Sequence, residues 1–249
     1  MDLRDKVAIV TGAGSGFGEA IARAFSAEGA FVGVLDLRLE QAERVVADLP
    51  KGRAIAVQAD VASGNAVRAA VASVSAAAGR NPDIVVNNAG FTHRNRSCLE
   101  VDEATFDRVF AVNVKSIFHM VQAVVPAMRD HGGGAIINIA STAGIRPRPG
   151  LSWYNASKGA VNTLSKSLAV ELAPWKITVN AICPVMSVTG MFQDFIGGED
   201  TPETRAKFLA TIPAGRFCEP NDVAQAALYL AHSDFITGIE LPVDGGRTI

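Results

Sequence analysis

Short, largely apolar runs rich in β-branched residues recur along the chain: Val7 to Val10, Phe31 to Leu35, Ala54 to Val57, Ile84 to Val86, Ala135 to Ile139 and Ile177 to Ile182. Runs of this kind predict strands covered on both faces. Between them, Gly18 to Glu28, Ala66 to Ala78 and Phe106 to Met128 carry apolar residues at helical spacing, with Arg, Glu and Asp on the opposite side. Ser152 to Leu172 reads as a further helix. The alternation predicts an α/β chain with a doubly wound parallel sheet and crossover helices on both faces.

From Val185 to Phe217 the rhythm breaks at Gly190, Gly197, Gly198, Pro202 and Pro213. A loop of that length in a compact chain is usually a lid or binding element, so residues 185–217 are expected to cover a substrate. No linker, repeat or low-complexity tract divides the sequence, and residues 1–249 are read as one domain.

Composition narrows the partners. The formal net charge is -2 and the pI near 6.1, so no global field draws the chain to nucleic acid or anionic lipid. No uninterrupted apolar run has the roughly 18 residues of a membrane helix, since the stretch around Val121 to Met128 contains Gln122 and Pro126. The amino-terminal residues lead straight into the first strand without a signal-peptide pattern. Cys98, Cys183 and Cys218 are far apart and form no CxxC pair, so buried free thiols and a cytoplasmic location are expected.

The first strand ends in Thr11-Gly12-Ala13-Gly14-Ser15-Gly16-Phe17-Gly18 and enters a helix directly. Such a turn presents bare backbone N–H groups and a positive helix end to a pyrophosphate, although it also serves as a tight structural turn. The spacing is not GxGxxG, and no Lys follows as in a P-loop. Asp36 ends the second strand 18 residues after Gly18, where a carboxylate can accept from both adenosine ribose hydroxyls. A 2'-phosphate would meet that charge, and Leu37 supplies no cation to offset it.

Tyr154 and Lys158 are four apart in a helical segment and share a face. An ammonium beside a phenol should lower the tyrosine pKa and give an acid and base usable near neutral pH. The same pair is also a common surface contact.

In combination these motifs are specific. The chain resembles the short-chain dehydrogenase/reductase family over its whole length: TGxxxGxG at Thr11 to Gly18, Asp60-Val61 after the third strand, NNAG at Asn87 to Gly90, Asn113 in NVKS, Ser141 thirteen residues before Tyr154, YxxxK at Tyr154 to Lys158, and ITG and VDGG near the carboxyl end. The resemblance implies a Rossmann-type sheet of order 3-2-1-4-5-6-7. It further implies a homotetramer, and hydride transfer between NAD(H) and a small polar secondary alcohol or ketone. Tyr154 would handle the proton, Ser141 would bond the reacting oxygen, Lys158 would hold the nicotinamide ribose, and Asn113 would hold a relay water. Cofactor contacts would come from Gly12, Ser15, Gly16, Phe17, Gly18, Asp36, Leu37, Asp60, Val61, Asn87, Ala89, Gly90, Tyr154, Lys158, Pro184, Ser187 and Thr189.

Where relatives carry Pro-Gly after the sixth strand, this chain has Pro184-Val185, so a different loop path is expected there. Arg94, Arg96, Arg146 and Arg148 lie in loops that should overhang the site. Arg94 and Arg148, with His93 and Trp153, are therefore candidate contacts to an anionic substrate, while solvated loop arginines are the alternative. A 3-oxoacyl carrier-protein reductase is the alternative enzyme, against which Asp36 argues. A nucleotide-sensing or scaffold protein on the same fold is the non-enzyme alternative. It would be expected to have lost one of Asn113, Ser141, Tyr154 and Lys158, and all are present. Neither GxSxG nor HExxH occurs and the four histidines do not cluster, so no hydrolase and no metal is expected.

Overall fold

The computed structural model describes residues 2–249. The chain runs β1 (Val7–Thr11), α1 (Gly16–Ala27), β2 (Phe31–Asp36), α2 (Leu39–Ala47), β3 (Ala54–Gln58), α3 (Gly64–Ala78) and β4 (Ile84–Asn87). It continues through α4 (Glu103–Phe110), α5 (Ser116–His131), β5 (Gly134–Ile139), α6 (Ser152–Leu172) and β6 (Ile177–Pro184), then α7 (Phe192–Ile196), α8 (Pro202–Leu209), α9 (Pro220–His232) and β7 (Glu240–Val243). All neighbours pair in parallel in the order β3-β2-β1-β4-β5-β6-β7.

Successive strand residues face opposite sides of the sheet, and each side has its own core. Ala8, Val10, Val34, Val86 and Ile137 pack with Ile21 and Phe25 of α1 and Leu230 of α9. Ile9, Leu35, Val85, Ile136 and Val179 pack with Val67 and Val74 of α3 and Met120 and Val124 of α5. The central strands are buried along their length because both sides are covered. The order reverses direction between β1 and β4, which opens a crevice beyond their carboxyl ends.

The structure departs from the sequence reading in several places. Residues 106–128 do not form one uniform helix: a π turn, Ala111–Lys115, separates α4 from α5. The combined run Glu103–His131 has the length and hydropathy of a membrane span, but here it packs on the sheet and against α3 and α6. The stretch 185–217 is not plain loop, since it contains α7 and α8. Helices α2 and α9 had not been foreseen, although α9 opens with a clear signal: Pro220 in its first turn, and a capping box between Glu219 and Asp222. Cys98 is exposed, whereas Cys183 and Cys218 are buried.

Candidate active site

Turn geometry and packing explain each glycine of the first loop. Gly12 and Gly16 have φ of +60° and +57°, values that L side chains resist. A Cβ on Gly12 would lie 2.9 Å from the Ala89 Cα, so the turn and the loop after β4 touch backbone to backbone. Thr11 joins them: its Oγ1 accepts from the Asn88 and Ala89 N–H groups at 3.0 Å, and Asn88 Nδ2 donates to the Thr11 and Gly12 carbonyls. Ser15 caps α1 in an extended conformation without a side-chain bond, which leaves first-turn N–H groups of α1 without that cap.

Asp36, buried at the end of β2, accepts from the Gly14 N–H through Oδ2 at 2.9 Å and from the Arg38 N–H through Oδ1 at 3.0 Å. These bonds aim a carboxylate that still has lone pairs to offer. Arg44 braces the turn from outside, donating to the Gly14 carbonyl at 2.9 Å and pairing with Glu19.

A cavity of about 690 Å³ runs from this turn along the carboxyl ends of the strands. Gly12, Ser15, Gly16, Phe17, Asp36 and Leu37 line one end, and Asp60, Val61, Ala89 and Gly90 line its flank. Pro184, Ser187 and Thr189 close the other side. Glycine positions that a Cβ would fill, unbonded helix-end donors and a fixed carboxylate together fit the pyrophosphate and ribose of a dinucleotide. Val185 keeps a negative φ, and its N–H donates to the Val243 carbonyl at 3.1 Å. The valine is thus accommodated without strain, and the loop still brings Ser187 and Thr189 to the cavity.

Ser141, Tyr154 and Lys158 meet beside the central part of this cavity. Ser141 sits just past β5 and starts a short turn, its Oγ accepting from the Ala143 N–H. Tyr154 and Lys158 project from one face of α6 and are nearly inaccessible to solvent. The Ser141 side chain stands near enough to the phenol to influence it, and Lys158 Nζ donates to the Ile139 carbonyl at 2.7 Å. Burial pushes the phenol up to about 12, opposed by the Ser141 side chain and the charge of Arg148. Lys158 is itself pushed down to about 8 by burial. The expected lowering of the tyrosine by its lysine neighbour is not found: Lys158 is not among the groups that shift the phenol, and desolvation sets the direction.

Other predicted residues stand outside the cavity lining. Asn87 is committed to Asn138 Oδ1 at 2.8 Å, and Asn138 in turn to Ser165, a buried chain that ties β4 and β5 to α6. Gly18 is a packing residue, because a Cβ there would lie 2.3 Å from the Gly12 carbonyl oxygen. The Asn113 side chain clamps the Phe91 backbone at both its N–H and its carbonyl and donates to Ser157. It therefore shapes the loop behind the site. Arg94 is exposed and donates to the Gly197 carbonyl, His93 is buried with Nδ1 against the Arg94 carbonyl, and Trp153 stacks edge-on with Phe106. None of these three lines the cavity, whereas Arg148 does.

Asn88, within the NNAG turn expected to line the nicotinamide side, does line the cavity, whereas sequence reasoning missed Arg38, Arg247, Phe195 and Phe208. None of these four carried a local signal in the sequence.

A doubly wound parallel sheet, a dinucleotide crevice at its switch point and a buried Tyr, Ser and Lys beside that crevice define a dinucleotide-binding oxidoreductase. Comparison with known proteins agrees. A family model described as enoyl-(acyl carrier protein) reductase matches residues 12–248. A 4-formylbenzenesulfonate dehydrogenase of Comamonas testosteroni is 48% identical, covering 100% of both chains. A meso-2,3-butanediol dehydrogenase of Serratia marcescens is 38% identical over 100% of this chain and 96% of its own. The crystal structure of a 3-ketoacyl-(acyl-carrier-protein) reductase from Brucella melitensis complexed with NADH superposes with a TM-score of 0.92 at 42% identity, covering 99% of this chain and 100% of the other. The chain belongs to the short-chain dehydrogenase/reductase family.

Proposed function

We propose that this enzyme moves hydride between NAD(H) and a small polar secondary alcohol or ketone, with Tyr154 carrying the proton. The observation that carries the reading is the placement of Tyr154, Ser141 and Lys158 on the same cavity whose far end presents Asp36 and the glycine turn. The cofactor, when bound, supplies the hydride donor or acceptor. Gly12, Ser15, Gly16 and Phe17 would cradle its pyrophosphate, and Asp36 its adenosine ribose.

The protein's own chemistry concerns the proton and the developing charge. Ser141 and Tyr154 present hydroxyls that together hold the reacting oxygen. During reduction the phenol gives its proton to the alkoxide, and during oxidation the phenolate takes it from the alcohol. A phenol held near 12 stays protonated and ready to donate at neutral pH, so little of the phenolate that oxidation needs is present. Oxidation therefore depends on positive charge near the oxygen, which Lys158 would supply while holding the nicotinamide ribose.

A NADH absorbance assay over ketones and alcohols tests this reading. Tyr154→Phe should lose about 10²-fold or more in turnover while still binding NADH. A variant that kept a tenth of the activity would remove Tyr154 from the role. Turnover of a 3-oxoacyl thioester in preference to simple ketones, with NADPH in preference to NADH, would favour the reductase of acyl carrier-protein substrates.

We further read the segment 185–217, with α7 and α8, as the substrate cover. Four copies are expected to associate with 222 symmetry through α4, α5, α6 and the carboxyl-terminal strand. Support comes from the half-exposed Phe118, the exposed Val170 and a shallow apolar groove between α5 and α6 lined by Val121, Leu164 and Trp175. Light scattering that reports a monomer at micromolar concentration would reject it. The three free thiols agree with a cytoplasmic setting.

A further inference from the structure

The end of the cavity beyond Tyr154 differs in charge from the end at the glycine turn. Among the described residues the only carboxylates on the cavity wall are Asp36 and Asp60, both at the dinucleotide end. The opposite end carries Arg146, Arg148 and Arg247 and no acid. In a protein of net charge -2 this is a local concentration of positive charge, focused by the apolar walls of a cleft.

Arg146 is largely committed, donating to the Arg247 carbonyl at 2.9 Å. Arg148 is not. Its guanidinium lies over the rings of Phe195 and Phe208, 5.6 and 5.1 Å from their centroids, and its one hydrogen bond is a long 3.4 Å contact to the Phe195 carbonyl. It forms no ion pair among the described residues. Burial lowers its pKa, Tyr154 opposes that shift, and the nearby Arg247 adds to it. Arg247 likewise has no ion pair and stands close enough to be felt by Arg148. A half-buried Arg148 guanidinium that faces the cavity without an acidic partner, with Arg247 beside it, is the group an entering anion would stabilise.

The position is built rather than accidental. Pro147 and Pro149 flank Arg148 and restrict its backbone. Asn155 Nδ2, in the first turn of α6, donates to the Arg148 carbonyl at 2.8 Å, which fixes that backbone to the helix bearing Tyr154. The Phe195 ring packs near both functional groups, 5.2 Å from the Tyr154 ring and 5.6 Å from the guanidinium, and the Arg148 charge is felt at the phenol. The phenol and the guanidinium therefore serve one part of the cavity. A bound molecule could lay an apolar body along Phe195 and Phe208 and reach both.

We propose that the substrate bears a carboxylate or sulfonate at the end remote from its reacting carbon, and that Arg148, assisted by Arg247, holds this anion. The inference rests on the dehydrogenase reading above and adds the specificity element to it. Arg148 contributes two parallel N–H donors, which a planar carboxylate or a sulfonate face matches and a neutral alcohol does not. Since Phe195 and Phe208 belong to α7 and α8, an anion seated on Arg148 also draws the cover onto the substrate.

The test uses three ketones alike in shape: 4-acetylbenzoate, 4-acetylbenzenesulfonate and acetophenone. Their binding to the NADH-loaded protein is measured by calorimetry, and their reduction is followed by NADH absorbance. We expect both anions to bind at least tenfold more tightly than acetophenone, and Arg148→Ala to reduce that preference at least tenfold. Arg148→Lys should keep part of it, because charge remains while the fork is lost. Arg94→Ala, on a residue off the cavity wall, should keep it all. Folding of each variant is checked by its melting temperature and by retained NADH binding. Equal binding of charged and neutral ketones, failure of both anions to bind, or a preference untouched in Arg148→Lys and Arg148→Ala overturns the anion site. Arginine-dependent binding without turnover keeps it and instead removes the proposed reaction. Turnover of acetophenone alone does the reverse.

Discussion

Lys158 should make the protein active at the expense of its stability, and replacing it with methionine separates the two. Burial lowers its pKa from 10.5 to about 8 in the folded chain. At 1.36 kcal/mol per unit that shift means that holding the ammonium inside costs about 3 kcal/mol at neutral pH. Methionine removes the charge and keeps the volume, but it also abandons the Ile139 carbonyl that Lys158 now bonds. Losing that bond gives back about 1 to 2 kcal/mol. The balance favours Lys158→Met by about 1 to 2 kcal/mol, or about 4 °C in melting temperature for a chain of this size.

The pH dependence fixes the sign. Between pH 8 and 10.5 the folded lysine is neutral while the unfolded one still carries its proton. Raising pH through that window therefore returns stability to the wild type and does nothing for the variant. Melting curves recorded without cofactor should show the variant ahead at neutral pH and the gap closing as pH rises from about 8 towards 10.5. A variant that melts below the wild type at neutral pH, or a gap that does not change with pH, would refute the argument.

Two other substitutions follow from the geometry of the turn. Asp36→Ala removes the carboxylate aimed at the adenosine ribose, and the ratio of kcat/KM for NAD over NADP should fall by about tenfold or more; an unchanged ratio in steady-state assays would dissociate Asp36 from cofactor choice. Gly18→Ala places a methyl group 2.3 Å from the Gly12 carbonyl oxygen and 2.4 Å from Asn88 Nδ2. Backbone must move to admit it, so we expect a loss of about 1 to 3 kcal/mol in a denaturation curve together with weaker NADH binding.

Much of the framework could be read in the residues because it rests on local periodicity. Buried parallel strands need continuous apolar runs, and those runs are visible in VAIV, FVGVL and IVV. Helical spacing alone puts Tyr154 and Lys158 on one face. What could not be read depends on direction and depth. Arg94 and Arg148 are alike as letters, yet one turns out to the Gly197 carbonyl and the other is held over two phenylalanine rings from two short helices, α7 and α8, that the sequence pattern does not show. The pKa of Tyr154 depends on how deeply α6 is set into the molecule, which no four-residue spacing reports. Asn87 and Asn88 are adjacent in the chain, but strand alternation sends one into the β5 pair and the other to the glycine turn.

The π turn at residues 111–115 has a consequence for how the chain tolerates change. A π turn holds one more residue than the helix around it, and each residue advances a helix by about 100°. The apolar stripe of α5 is therefore out of phase with that of α4, and each is in phase with the surface it covers. Deleting any one residue between Ala111 and Lys115 would give a more regular helix by local hydrogen-bonding criteria. It would also rotate one half against the other, either lifting Met120 and Val124 off the sheet or swinging Asn113 away from Phe91 and Ser157. The irregularity thus acts as a gear tooth between two contact surfaces, and single-residue deletions should be tolerated in the exposed turns near Gly52 and Gly198 long before they are tolerated here.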